Sequence, residues 1–294
     1  MHTHHTRQGV AFGIAAYTLW GLLPLYWKAL KSVPAFEILC HRTVWSFLFL
    51  IIILLIRKNW QWLKTIKDHP NTKWTFLTTS LLLGCNWLTY IWAVNNGYIV
   101  ESSLGYFINP IVNILLGVII LKEKLRLWQW IAAGLATAGV IYLTVVYGQL
   151  PWIALVLAFS FGFYGLLRKT AHLGSLEGLS LETLVMFVPG IIYILFVEIQ
   201  GNGQFIHSNI TTILLLTGTG IATATPLLFF ASAARRIQYS TVGLLQYIAP
   251  TLQFSIGVLI YHEAFNRSRL IGFSEIWLAL IIYTVDSLMN SKKG

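Results

Sequence analysis

Long apolar stretches recur along the whole chain and constrain its fold more than any other feature of the sequence. Of the 294 residues, 56% are hydrophobic and only 10% are charged, and the mean hydropathy is +0.70. Soluble domains carry about 25% charged residues, so this chain has too few charges to shield its apolar side chains from water. Because the stretches run through the full length, a single anchor or a signal peptide before a soluble domain is excluded. The composition predicts an all-α membrane protein that crosses the bilayer many times.

The lengths and charges of the stretches predict how often the chain crosses the membrane. A helix needs about 20 residues to cross the hydrocarbon core. Apolar stretches of that length predict ten transmembrane helices, at roughly 9–30, 35–57, 73–97, 101–122, 126–147, 151–169, 178–199, 209–235, 240–261 and 268–288. With a cytoplasmic N-terminus, fifteen of the 20 Lys and Arg residues fall in inside segments, four outside and one, Arg42, within a span. Since basic residues collect in cytoplasmic loops, this alternation predicts that both termini are cytoplasmic.

A segment in the first half of the chain is repeated in the second half. The segment GYFINPIVNILLGVIILKE (105–123) aligns with LQYIAPTLQFSIGVLIYHE (245–263) at an offset of 140 residues. The alignment places Pro110 on Pro250. The sequence therefore predicts that spans one to five are duplicated as spans six to ten.

The duplication predicts two domains, residues 1–148 and residues 149–294. Because five spans is an odd number, the second copy enters the membrane from the opposite side, and the repeat is inverted. Inverted repeats are typical of secondary transporters, in which the substrate binds near the bilayer midplane between the halves. The alternative is a duplicated structural bundle.

Several motifs resemble those of the EamA-like proteins of the drug/metabolite transporter superfamily. They are TRQGV (6–10), AAYTLWGLLPLYWK (15–28), VPAFEILCHRTVWS (33–46), NWLTYIWAVNNGYIVESSLGYFINPIVNILLG (86–117), AFSFGFYGLLRK (158–169) and LQYIAPTLQF (245–254). The resemblance implies a transporter of the bacterial inner membrane with both termini cytoplasmic. It also implies a central cavity lined by the third, fourth, eighth and ninth spans, with contributions from the first and sixth. Export of small metabolites or amphiphilic compounds is the usual role of such proteins.

The fourth predicted span carries an unusual number of polar side chains. Ser102, Tyr106, Asn109 and Asn113 are spaced by four, three and four residues, so they form one stripe on a helix. An amide that faced lipid would have no hydrogen-bond partner. The stripe therefore faces protein or water, and two interpretations stay open: it lines a cavity, or it bonds to a neighbouring helix.

Aromatic rings beside amides favour a site for flat, amphiphilic solutes. Similar faces occur on the first, third, sixth and ninth spans. The substrate-binding residues predicted on these grounds are Trp20, Asn86, Trp87, Tyr90, Ser102, Tyr106, Asn109, Asn113, Tyr164, Gln246, Tyr247 and Gln253.

Two prolines and two titratable residues within spans are further functional candidates. Pro110 and Pro250 each remove a backbone hydrogen bond, which predicts two hinges. Arg42 is costly in a bilayer unless it is paired or hydrated. It predicts a substrate or ion-pair site, with structural pairing as the alternative. His41 is a candidate for coupling, because histidine titrates near neutral pH.

The sequence contains no nucleophile–base pair or metal-ligand set, so we expect no enzyme activity, cofactor or metal. The net charge of +10 is explained by cytoplasmic loops, so no nucleic-acid partner is expected. The expected partners are a small-molecule substrate and membrane lipids, and the protein is expected to be a monomer or to self-associate as a loose dimer. A membrane scaffold or sensor without transport activity is the alternative function.

Overall fold

The fold is all-helical over the part of the chain that the computed structural model describes: residues 2–58, 60, 62–69, 71–147, 152–262 and 267–291. A helix satisfies its backbone hydrogen bonds internally, as hydrocarbon surroundings require. The helices in these ranges are α1 (His2–Ala29), α2 (Ala35–Arg57), α3 (Trp62–Asp68), α4 (Asn71–Asn95), α5 (Ile99–Ile119), α6 (Leu127–Tyr147), α7 (Trp152–Thr170), α8 (Ser175–Ile199), α9 (Gln204–His207), α10 (Ile210–Ala234), α11 (Tyr239–Leu245), α12 (Ile248–Leu259) and α13 (Arg267–Ser291).

Nine helical segments among the described residues are long and apolar enough to cross a membrane. They are Arg7–Ala29, Ala35–Arg57, Asn71–Asn95, Glu101–Ile119, Leu127–Val146, Trp152–Thr170, Ser175–Ile199, Ile210–Ala234 and Thr241–Leu259. The tenth predicted span falls on α13, which is not among these nine segments. The ten-span count therefore stays a prediction. The predicted boundary between the two repeats, after residue 148, lies outside the described residues.

The ninth predicted span is not one continuous helix. It is divided into α11 and α12, with Gln246 and Tyr247 between them in a turn. Pro250 explains the division, because it has no N–H to bond the carbonyl of Gln246. By contrast, α5 continues through Pro110 without a break.

Helices from the two halves of the chain pack mainly against each other. α1 packs on α10 and α12, α2 on α8 and α10, α7 on α4 and α5, and α6 on α13. Some of these approaches require glycine: a Cβ on Gly220 of α10 would clash with the backbone of Trp45 in α2. The buried core therefore lies between the halves. Large apolar side chains such as Ile56, Trp74 and Ile199 are exposed, as expected of a surface that faces lipid.

Candidate functional site

A cavity lies between the halves, bordered by α1, α2, α4, α5, α7 and α12. Its volume is about 40 Å³. A narrow space of this size holds a few waters or the core of one small solute.

Most of the predicted substrate-binding residues line this cavity. They are Trp20, Asn86, Trp87, Tyr90, Tyr106, Gln246 and Gln253, and Arg42 lies among them. The residues come from both halves of the chain. The cavity therefore combines aromatic rings, amides and one guanidinium in a single buried space.

Pro24 explains how Gln253 is held at the cavity wall. Because proline has no N–H, the carbonyl of Trp20, one turn earlier in α1, lacks its usual helical donor. The Nε2 of Gln253 donates to that carbonyl at 3.1 Å. The hydrogen bond joins α1 of the first half to α12 of the second.

Asn86 makes the corresponding connection between α4 and α7. Its Nδ2 donates to the carbonyl of Leu157 and to the Oγ of Ser160, both at 3.0 Å. The neighbouring Tyr90 packs its ring on Tyr106, with 5.4 Å between the centroids. These contacts fix an amide and two phenol rings on one side of the cavity.

Arg42 is the charged residue of the cavity wall. It is 3% exposed, and its Cζ lies 4.0 Å from the ring centroid of Trp87 and 4.8 Å from that of Trp27. Its Nε donates to Thr223 Oγ1 at 3.1 Å. Two aromatic faces and one hydroxyl therefore hold the guanidinium plane within the protein.

Asn109 and Asn113, two members of the predicted stripe on α5, lie outside the cavity lining. Asn109 donates to the carbonyl of Ala158 at 3.1 Å. Asn113 donates to Gln246 Oε1 at 2.8 Å and lies 3.0 Å from the hydroxyl of Tyr239. Bonding between helices, the second interpretation of the stripe, accounts for Asn113 and for the Nδ2 of Asn109, while the buried Oδ1 of Asn109 has no partner among the described residues.

Tyr239 connects this amide pair to α7. Its hydroxyl is 3.0 Å from Asn113 Oδ1 and 2.9 Å from the carbonyl of Gly162. Its backbone N–H donates to Glu123 Oε1 at 3.3 Å. Tyr239 therefore bonds to α5, to α7 and to the segment that follows α5.

Ser102, Tyr164 and Tyr247 also lie away from the cavity lining. Ser102 is buried within α5. Tyr247 packs in the core, its ring centroid 6.2 Å from that of Phe107. Tyr164 donates instead to Glu182 Oε2 at 3.3 Å, and Glu182 lies 3.8 Å from Nη1 of Arg168.

His41 lies on a different face of α2 from Arg42. It is buried, its Nδ1 accepts a 3.3 Å hydrogen bond from Trp45, and its ring stacks on Phe205. Its Nε2 is 3.9 Å from Glu37 Oε1. The structure therefore separates the two candidates: Arg42 borders the cavity, and His41 lies in the contact between α2 and α9.

Both predicted hinge prolines are buried, but their settings differ. Pro110 lies inside the continuous helix α5, and Pro250 lies in the first turn of α12, directly after the break. The break places Gln246 where its side chain reaches the cavity.

The set of predicted residues omitted five that line the cavity: Tyr17, Leu23, Trp27, Phe161 and Ala249. The first three follow the same face of α1 as Trp20, at spacings of three or four residues. Extension of that face along the helix would have found them. The sequence gives no comparable signal for Phe161 and Ala249.

Comparisons with known proteins agree with the fold and cover the full chain. The EamA-like transporter family matches twice, over residues 7–145 and 151–285. Protein RarD of Streptomyces exfoliatus is 46% identical, covering 98% of this chain and 91% of that protein. The uncharacterized transporter YojE of Bacillus subtilis (strain 168) is 45% identical, covering 98% and 97%. Protein RarD of Escherichia coli (strain K12) is 42% identical, covering 100% and 99%.

A crystal structure of a protein with 17% sequence identity has the same fold, with a TM-score of 0.70 over 94% of this chain and 97% of that chain. Together with nine apolar helices in the described ranges, these matches make the chain a multi-pass membrane transporter. The family expected from the motifs is confirmed. The chain belongs to the EamA-like transporter family.

Proposed function

We propose that this transporter moves small amphiphilic solutes across the bacterial inner membrane by alternating access, with the central cavity as its substrate site. The observation that carries the proposal is the composition of the cavity wall. Rings, amides and one guanidinium from both halves of the chain meet there, away from lipid. A concave, largely aromatic space with a few polar groups is typical of small-molecule sites.

The inverted repeat is part of this proposal, and helix packing supports it. If the halves are equivalent, α1 corresponds to α7, α4 to α10 and α5 to α12. The packing of α1 on α10 and α12 then has its counterpart in the packing of α7 on α4 and α5. The two family matches, one in each half, also fit two equivalent domains. Rocking of one half against the other would open the cavity to each side in turn.

The contacts next to the cavity suggest where the halves separate. Asn113 and Gln246 join α5 to the break before α12, and Tyr239 joins the same place to α7. Flexing at Pro110 and Pro250 would allow these polar contacts to break and re-form. The cavity would then open toward the loop between α10 and α11, which we place in the cytoplasm with both termini.

The test is uptake of unlabelled solutes by proteoliposomes. The purified protein is reconstituted and incubated with a mixture of metabolites, and the vesicle contents are identified by mass spectrometry, with and without a pH gradient. Ala249→Trp fills the cavity from a wall position that is 3% exposed. Ala138→Trp, on an exposed face of α6, is the matched control.

We expect specific solutes to enter vesicles that contain the parent protein or Ala138→Trp, and not those that contain Ala249→Trp. Equal uptake by both variants would remove the cavity from the pathway. Absence of any protein-dependent uptake would favour the scaffold or sensor alternative. Comparison of inside-out with right-side-out vesicles then tests export, which is the direction we propose.

A further inference from the structure

We propose that the cavity binds a small carboxylic acid with one planar apolar group, and that Arg42 binds the carboxylate. This inference rests on the proposed function and adds the chemical class of the substrate. Among the described residues, two observations support it: the guanidinium has hydrogen-bond donors that no protein group uses, and three other donors around the same cavity have no partner.

The guanidinium of Arg42 has unused donors. Within the described part of the chain its one hydrogen bond is the Nε contact with Thr223, and no carboxylate lies within 4.0 Å of it. Thr223 therefore occupies the Nε side of the Arg42 guanidinium and leaves the edge formed by Nη1 and Nη2 free for a ligand. A planar fork with a free edge matches a carboxylate in a bidentate arrangement.

Three more donors at the cavity are buried without a partner among the described residues. They are the hydroxyls of Tyr17 and Tyr90 and the indole Nε1 of Trp27. Buried polar groups are nearly always hydrogen-bonded, so three orphans around one space indicate a missing acceptor. A carboxylate offers about four acceptor sites on two oxygens, which suits this excess of donors.

The charge of the cavity also favours an anion. The residues that line it include no Asp or Glu, so the guanidinium of Arg42 gives the cavity wall a net positive charge. The faces of Trp27 and Trp87 compensate the buried cation, but neither supplies a negative charge. A bound carboxylate would neutralise a charge that the protein leaves unbalanced.

The apolar part of the ligand follows from two rings that line the cavity. Trp20 and Phe161 meet edge to face, with 5.4 Å between their centroids, and both line the space. Because these two rings already touch, a single aromatic ring of the ligand would pack against the pair by offset or edge contact. The cavity is narrow, so it favours a ligand with a single ring.

The experiment measures binding to the full-length protein in lipid nanodiscs. The probe is radiolabelled phenylacetate, and the competitor is phenylacetamide, which has the same ring and nearly the same shape without the charge. We expect phenylacetate to bind at least about tenfold more tightly than the amide. Arg42→Gln should abolish this preference, and Thr223→Val should weaken it by freeing the guanidinium.

Two further variants separate charge from fold. Arg42→Lys keeps the charge without the fork, so it should retain part of the preference even if Arg42→Gln does not fold. Lys31→Gln removes an exposed positive charge and should leave binding unchanged.

The proposal is overturned if the amide binds as tightly as the acid, if a folded Arg42→Gln variant keeps the preference, or if the parent protein binds neither compound. Transport can survive that result. Uptake of neutral solutes through a cavity that Ala249→Trp blocks would uphold the proposed function and reject only the anion. Absence of uptake of every solute would reject the proposed function itself.

Discussion

Removal of the charge on Glu182 should destabilise the protein strongly. Glu182 in α8 is 0% exposed and lies 3.8 Å from Arg168 of α7, whose side chain is 1% exposed. In Glu182→Gln the amide still accepts from Tyr164, but the guanidinium keeps its charge without a counter-ion. The structure predicts that the cost comes from the unpaired arginine rather than from lost packing.

The size of the effect follows from the partners that remain. Loss of one partner of a buried ion pair costs about 3–5 kcal/mol. Nη2 of Arg168 also donates to the carbonyls of Gly174 and Ser175, at 3.3 and 3.0 Å. These contacts stay in the variant, so we expect a loss near the lower end, about 3 kcal/mol. The double variant Arg168→Met/Glu182→Gln should lose less than Glu182→Gln alone, because it contains no unpaired charge.

The assay is reversible unfolding in detergent micelles by added denaturant, followed by tryptophan fluorescence. Asp68→Asn, an exposed carboxylate at the end of α3, is the control and should change the free energy of unfolding by less than about 0.5 kcal/mol. The prediction is wrong if Glu182→Gln loses less than about 1 kcal/mol, or if the double variant is no more stable than Glu182→Gln.

Three further predictions concern helix contacts and topology. Asn113→Leu removes the bonds to Gln246 and Tyr239, and should lower the free energy of unfolding in micelles by about 0.6–2 kcal/mol; no change would show that these bonds are not formed. Gly165→Ala places a Cβ against the hydroxyl of Tyr239 and should lower the free energy of unfolding by about 1–3 kcal/mol. The loss should be smaller in a Tyr239→Phe background, and equal losses in both backgrounds would contradict the contact. A green fluorescent protein fused to the C-terminus should fluoresce and a periplasmic phosphatase fused there should be inactive; the opposite pattern would reverse the proposed orientation.

The positions of the apolar helices could be predicted from the sequence because the bilayer imposes their length. The predicted span 209–235 and the helix Ile210–Ala234 differ by one residue at each end. The division of the ninth span was missed, although Pro250 carried the signal. A proline perturbs the turn before it, and whether a helix breaks or continues there depends on its neighbours, as the continuous helix at Pro110 shows.

The partners of the polar side chains could not be predicted. Asn86 and Asn109 are both amides on polar faces of transmembrane helices, and both donate to carbonyls of α7. Only Asn86 also borders the cavity, because a small rotation of a helix decides which side chains reach the space. That rotation is set by packing against the other half, which no local pattern records. Trp27 differs, because it continues the face of α1 that carries Trp20 and could have been predicted; a Trp near the end of a span usually anchors in the interface, yet this one is 0% exposed.

The most direct measurement of the central claim is the accessibility of the cavity from each side of the membrane. Ala249→Cys is made in a background in which Cys40 and Cys85 are replaced by Ala, and Ala138→Cys on α6 serves as the lipid-facing control. A membrane-impermeant thiol reagent is added either outside sealed proteoliposomes of known orientation or inside them. Alternating access predicts that Cys at position 249 reacts from both sides and that the control reacts from neither. Reaction from one side alone, or from none, would contradict it.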